Sequence, residues 1–281
     1  MTIWTDLNTT EFSLRYVNAG GIRTRSLTAG SGEPIVFLPG TSGHLDSFSQ
    51  NVAAHAAHFE VHVIDQLGHG YTDKPDYDYT IDRYVEHVLA YLDAIGATTA
   101  ILAGQSLGGW VAAWLASEHQ ERVSKLSLIA PGGTVANPEM MTKIRTTTKA
   151  AADSTDREMT RKRLEWLMHD PQNLVTEELV DVRHAIYQQP EMSASLEHLL
   201  ILQNPEVREK FLMREDRLAR ITAPSLVVWT SDNPTGNIDE GNFWHRHIPG
   251  SKMVIIDGAG HWPHYEKREE FNRVHLDFLL S

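Results

Sequence analysis

All 19 glycines of this 281-residue chain lie outside residues 134–235. Glycine is what tight turns and close backbone approach ask for, so this long middle segment cannot be built like the two segments that flank it. Six of the eight methionines fall inside it, at Met140, Met141, Met159, Met168, Met192 and Met213, among Leu, Glu and Arg, with Pro138, Pro171, Pro190 and Pro205 as punctuation. That composition predicts several helices joined by short turns. The flanks carry short aliphatic runs at 14–17, 22–27, 35–38, 61–64, 100–103, 126–129, 225–229 and 253–256, which read as strands. The later runs lack apolar–polar alternation, and segments of helical spacing lie between them, the pattern of a parallel sheet covered on both faces. Ile81, Tyr84, Val85, Val88, Leu92 and Ile95 mark one helix over 80–95, stopped by Gly96. A second helix begins at Ser106, and a last one over 266–280 turns Phe271, Val274, Phe278 and Leu279 inward. The expected architecture is an α/β core made of residues 1–133 and 222–281, with a helical cap, 134–221, inserted between its halves.

Charge and composition narrow what such a chain can do. Lys and Arg number 25 against 37 Asp and Glu, a formal net of −12, so the average surface repels phosphate and acidic membranes. No nucleic-acid or membrane partner is expected. The absence of cysteine removes thiolate nucleophiles and zinc–thiolate sites together. Residues 1–10 hold Asp6 and no cationic stretch leading into an apolar run, and nowhere do about 18 apolar residues stand together. A cytoplasmic protein is the expectation.

The chemistry concentrates at a few points. Directly after the run 100–103 comes Gly104-Gln105-Ser106-Leu107-Gly108-Gly109, with helical spacing following at once. A serine on a tight strand-to-helix turn is held in strained backbone angles, and glycines two before and two after leave room for the turn. Its hydroxyl then lies at a helix N-terminus, where unpaired N–H groups favour developing negative charge. Ser106 is the candidate nucleophile. Among fifteen histidines, His261 follows the last strand in a loop at the carboxyl edge of the sheet, where it would meet Ser106 as base. His245 and His247 are two apart on a helix and share no face, so no metal site is expected. With the chain order serine, acid, histidine, the acid belongs after the run 225–229. There Asp232 is the first choice, with Asn233 and Asp239 as alternatives. An oxyanion hole needs two donors, for which Leu107 N–H and the loop Pro39-Gly40-Thr41-Ser42-Gly43, through Thr41, are the candidates. On composition alone Arg183 reads as an ion-pair partner of the acids one turn before it.

These residues resemble the α/β-hydrolase fold, a mostly parallel eight-stranded sheet with helices on both faces, and within it the meta-cleavage product hydrolases, which split C–C bonds in ring-fission products of aromatic degradation. The likeness is carried by the serine turn, by Leu128-Ile129-Ala130-Pro131-Gly132-Gly133, by Thr176-Glu177-Glu178-Leu179 with Arg183 and Gln189-Pro190-Glu191, and by Gly260-His261-Trp262 with Glu270-Phe271-Asn272-Arg273. The resemblance implies that Arg183 binds a substrate carboxylate, that Trp262 lines the site and that Gln105 borders the pocket. It implies a small carbonyl substrate of the 2-hydroxy-6-oxo-dienoate type, water as second substrate, and no cofactor. Three departures stand out: Pro39-Gly40 where the family has His-Gly, Gln105 where it has Asn, and Asn233 four after Trp229 where it has Asp. An esterase or lactonase with the same site, or a binding protein on the same scaffold, are the rival expectations, and a homodimer is left open.

Overall fold

The computed structural model describes residues 3–281; Met1 and Thr2, part of the stretch read for a leader, lie outside the described residues. Eight strands, β1 Phe12–Ala19, β2 Ile22–Ala29, β3 Pro34–Leu38, β4 Glu60–Ile64, β5 Ala100–Gln105, β6 Val123–Ile129, β7 Ser225–Thr230 and β8 Lys252–Ile256, form one sheet. Their order is β1-β2-β4-β3-β5-β6-β7-β8. β2 pairs antiparallel with β1 and β4, and all other pairings are parallel. Each expected aliphatic run is a strand. The central β5 and β7 are buried at every residue, which is why their sequences show no alternation, whereas the edge strand β1 is mostly exposed.

Helices cover both faces. The helix Ile81–Ala94 turns Tyr84, Val85, Val88, Tyr91 and Leu92 inward, and Gly96, at φ +75°, ends it in the left-handed conformation that favours glycine. The helix Arg268–Leu279 packs Phe271, His275, Phe278 and Leu279 against the opposite face. Between β6 and β7 the described residues form helices and no strand. Pro138, Pro171, Pro190 and Pro205 each occupy a first helical position, opening Pro138–Ala152, Pro171–Leu174, Pro190–Leu199 and Pro205–Lys210. Proline loses nothing there, because that N–H has no intrahelical acceptor. Asn137, Asp156, Thr176 and Asn204 cap helix starts with side-chain oxygens that accept from N–H groups two or three residues on.

Candidate active site

β5 runs without a break into the helix Leu107–Glu118, and Ser106 sits at the turn with φ 54° and ψ −114°. No side chain favours this conformation, and the surrounding packing enforces it. A Cβ on Gly104 would lie 2.2 Å from the carbonyl carbon of Gly108, and one on Gly108 would lie 2.0 Å from the Leu38 carbonyl oxygen. The two glycines are therefore required by contact as well as by turn geometry. The Ser106 N–H donates to Ile129 O (3.0 Å), and its carbonyl accepts from Trp110 N (3.0 Å) and Gly132 N (3.1 Å). Leu107, first in its helix, has no intrahelical partner for its N–H, and Thr41, in the turn three residues after β3, borders the same space as Ser106.

His261 reaches this space from the loop after β8. Its Nδ1 lies 3.0 Å from Asn233 Oδ1 and 3.0 Å from Thr235 Oγ1. The Thr235 N–H and hydroxyl both donate to Asn233 Oδ1, at 3.1 and 2.9 Å. Only an oxygen can take those donors, so the amide orientation is settled by its partners. His261 Nδ1–H then donates to Asn233, and Nε2 keeps its lone pair for a proton. Burial, with the Arg163 guanidinium nearby, pushes His261 down to about 3, so the ring is neutral near pH 7.

The expectation that Asp232 orients His261 is corrected. Its Oδ2 accepts from Ser231 Oγ (2.5 Å) and lies 3.4 Å from His169 Nδ1, and the side chain is 46% exposed. Asp239 is exposed in the first turn of the helix Ile238–His247. The residue four after Trp229, Asn233, occupies the position against the imidazole.

Two connected hollows meet at this point. The larger, about 180 Å³, is walled by Trp110, Val135, Met140, Met141, Leu202 and Trp229 among others. The smaller, about 30 Å³, is walled by Gly40, Gly43, Gln105, Arg163, Leu167 and Trp262 among others. Ser106, His261, Thr41, Thr235 and Ile144 border both. Ser106 and His261 thus stand together where the two hollows meet, and both hollows mix polar and apolar walls, the larger through Asn137, Gln203, Arg208 and Glu240 as well as its tryptophans and methionines.

A family model described as the alpha/beta hydrolase fold matches residues 33–268. The chain belongs to the alpha/beta hydrolase family. It is 31% identical over 263 residues to the 2-hydroxy-6-oxo-6-phenylhexa-2,4-dienoate hydrolase of Burkholderia cepacia, covering 90% of each chain. It is also 31% identical over 282 residues to the 2-hydroxy-6-oxononadienedioate/2-hydroxy-6-oxononatrienedioate hydrolase of Paraburkholderia phymatum, covering 96% of this chain and 92% of that one. Among solved structures, the 2-hydroxy-6-oxo-6-phenylhexa-2,4-dienoate hydrolase of Rhodococcus sp. strain RHA1 superposes with a TM-score of 0.87 at 21% identity, over 97% of this chain and 100% of that one.

Against that family background, two further expectations change. Gln105 borders the small lobe, but its Nε2 donates to the carbonyl of His261 (3.0 Å). It ties the serine turn to the histidine loop, so its N–H₂ is already engaged. Arg183, 2% exposed, borders neither lobe. Its Nη1 donates to Ser42 O, with Ser42 Oγ and Tyr187 Oη each 3.3 Å away, and its guanidinium carbon stands 5.5 Å from the Trp262 ring centre. Among the described residues Glu177 and Asp181 pair with Arg157 and Arg161 and not, as composition suggested, with Arg183, whose Nε and Nη2 are buried without a partner. Trp262, 4% exposed, lines the small lobe as expected.

Three residues of the site were not foreseen. Thr235 holds Asn233 in place. Arg163 walls the small lobe. Glu266 accepts from Gly260 N (3.0 Å) and Trp262 N (3.0 Å) through Oε1 and from His169 N (2.7 Å) through Oε2, so one buried carboxylate fixes the histidine loop to the inserted segment. The His261 N–H donates to Leu167 O (2.7 Å) on the same seam. Among the described residues, no group of three His, Asp or Glu is arranged to hold a metal ion, and no helix is long and apolar enough to cross a membrane.

Proposed function

We propose that this protein hydrolyses a C–C bond in a 2-hydroxy-6-oxo-dienoate-type ring-fission product, with Ser106 and His261 as its catalytic residues and 134–221 as the cap over the site. The observation that carries the reading is that Ser106, His261 and Thr41 border both of two hollows, about 180 and about 30 Å³, so that a carbonyl held at their junction has room for a group on either side. A dienoate of this class has an acid end, a ketone in mid-molecule and a second substituent beyond it, and the ketone falls at the junction when the two ends take the two hollows. The names of the relatives at 31% identity point to the same substrate class.

In this reading His261 Nε2 takes the 2-hydroxyl proton and returns it to C5, converting dienol to ketone. Leu107 N–H and Thr41 N–H hold the ketone oxygen as negative charge develops on it. Ser106 acts at that carbonyl, water supplies the hydroxyl, and the C5–C6 bond breaks. C6 leaves as a carboxylic acid; the electrons of the broken bond run through the conjugated chain to the 2-oxygen, which takes back a proton from His261, and C5, already protonated in the first step, becomes the terminal CH₂ of the hydroxydienoate. Asn233 keeps the imidazole in the tautomer this needs.

The test is direct. A coloured 6-phenyl dienoate should bleach with kcat/KM at least about 100-fold above that for p-nitrophenyl butyrate, and Ser106→Ala should lower kcat by about 10³-fold or more. The reverse substrate preference would make the protein an esterase or lactonase, and saturable binding without turnover would make it a binding protein.

A further inference from the structure

Two residues bordering the larger hollow carry polar atoms that are buried without a partner among the described residues: Gln203 Oε1, an acceptor, and Trp229 Nε1, a donor. Both residues are deeply placed, Gln203 at 8% exposure and Trp229 at 1%. Gln203 ends the turn Ile201–Gln203 between the inserted helices Pro190–Leu199 and Pro205–Lys210, and Trp229 lies near the end of β7. One orphan thus comes from the inserted segment and one from the sheet. The other polar groups of this wall are accounted for. Asn137 and Asn237 accept from N–H groups as helix caps, and with Glu240 they also border an open groove of about 600 Å³ outside the hollow, where solvent serves polar atoms. Arg208 donates through Nε to Val135 O (2.7 Å) and stands 4.7 Å from the Trp110 ring centre. Neither Gln203 nor Trp229 borders that groove. A buried donor or acceptor left unpaired is costly, and such atoms persist in a binding hollow where a ligand completes them.

We propose that the larger hollow selects a substituent bearing a neutral hydroxyl, which donates to Gln203 Oε1 and accepts from Trp229 Nε1–H. The inference rests on the reading given above and deepens it: the group beyond the ketone is a hydroxyaryl rather than a bare phenyl ring or alkyl chain. A hydroxyl both donates and accepts, so it serves the two orphans at once, and it serves Gln203 whichever way the amide turns. Carboxylates, ethers and ketones bring no hydrogen for the acceptor. A charged group is disfavoured by the wall itself, since Arg208 and Glu240 stand on it with opposite signs; an anion gains one and meets the other, and a cation the reverse. Size agrees. A cavity of about 150 Å³ admits benzene, so about 180 Å³ has room for one ring and a hydroxyl. A site built this way rejects the analogue that lacks the hydroxyl, because its buried donor and acceptor then stay unpaired.

Inert ketones test the hollow apart from the chemistry. The meta and para isomers of hydroxyacetophenone, the methylacetophenones of nearly equal size and the corresponding acetylbenzoates are titrated calorimetrically at pH 7 into wild type, Gln203→Met, Gln203→Leu and Trp229→Phe. One hydroxy isomer should bind wild type at least about tenfold more tightly than its methyl counterpart. Gln203→Met should erase that preference while shifting the methyl ketone Kd less than about threefold, and Trp229→Phe should reduce it by about threefold or more. The Tm of Gln203→Met should equal or exceed that of wild type, because an unpaired buried amide gives way to an apolar chain of the same length. Should Gln203→Met not fold, Gln203→Leu decides, with the same loss of preference expected. In turnover, the dienoate carrying the preferred hydroxyphenyl isomer should exceed the 6-phenyl dienoate in kcat/KM by about tenfold in wild type and match it in Gln203→Met. No preference for hydroxyl over methyl in wild type, a preference that survives the Gln203 variants or is undiminished in Trp229→Phe, or an acetylbenzoate bound more tightly than either hydroxy ketone overturns the proposal. Failure to bleach any dienoate, with the ketone preference intact and dependent on Gln203, would sink the C–C reading alone.

Discussion

In the proposed reaction a single loop position sets how strong a base His261 is. Asn233 Oδ1 accepts from the imidazole and from two groups of Thr235, while Asn233 Nδ2 is buried without a partner among the described residues. Asn233→Asp would exchange that idle N–H₂ for an oxygen and place a negative charge 3 Å from the ring. An adjacent anion favours the imidazolium, so the His261 pKa rises, and kcat should increase by about tenfold or more. The acid limb of the pH–kcat/KM profile should move to higher pH in the same variant. Steady-state rates from pH 4 to 8 check both, and unchanged kcat with an unmoved limb would remove Asn233 from catalysis. Asp232→Asn should leave kcat within about twofold, as expected of a half-exposed group away from the site. That Ser106 and His261 share one edge of the sheet was legible because backbone demands at a strand-to-helix turn and after the last strand leave visible marks. It put the acid at Asp232 because a carboxylate is the better partner chemically, yet which side chain of adjacent loop residues faces inward depends on tertiary packing. Arg163 was legible in part: Thr160, Arg163, Leu164 and Leu167 follow helical spacing, so an arginine sits on an inward stripe, but nothing in a single sequence says what that charge meets there.

Secondary structure elements were readable where burial is uniform. The runs Ile35–Leu38 of β3 and Ala100–Ala103 of β5, at the sheet centre, have no polar residues to confuse the pattern, and four prolines stand at the starts of helices between β6 and β7. What sequence could not carry was the seam between elements distant in the chain. Glu266 is the example: its carboxylate, buried and pushed upward by that burial, holds three backbone N–H groups from both sides of the seam. Glu266→Gln keeps an oxygen for Gly260 and Trp262 but turns an N–H₂ toward the His169 N–H, where two donors meet. Losing one such charge-assisted bond and leaving a donor unpaired should cost about 2 to 3 kcal/mol of stability. Because Gly260 and Trp262 flank His261, kcat should fall by about tenfold or more as the imidazole loses its fixed position. Chemical unfolding and steady-state kinetics on the same sample test this. Lost stability with unchanged kcat would reduce Glu266 to a structural stitch.

Across the whole molecule the dominant electrostatic fact is a set of eight buried histidines: His44, His55, His62, His69, His87, His261, His264 and His275. Burial is the largest cause of a downward shift in every one of them, to about 4 for His55 and His69 and about 3 for His87, His261 and His264. A histidine whose folded pKa lies below the unfolded value near 6.5 binds protons better when unfolded, so its contribution is complete above pH 6.5 and is lost as pH falls toward the folded value. At pH 5, a group with a folded pKa of about 4 or less has forfeited about 2 kcal/mol. Several such groups together approach the whole stability of a typical domain, about 5 to 15 kcal/mol. Four carboxyls raised chiefly by burial, Asp6, Asp65, Glu240 and Glu266, act in the opposite sense but are outnumbered. The protein should therefore lose Tm continuously from pH 7 downward and unfold near pH 5, well above the range in which ordinary carboxylates titrate. His264 isolates the cause. Both its ring nitrogens are buried without partners among the described residues, and the ring stacks on Phe48 at 4.3 Å, so phenylalanine fits the same shape without a proton site. His264→Phe should gain about 2 kcal/mol over wild type at pH 5 beyond any difference at pH 7, measured by urea unfolding at both. An equal difference at the two pH values would mean that histidine burial does not set the acid limit of this fold.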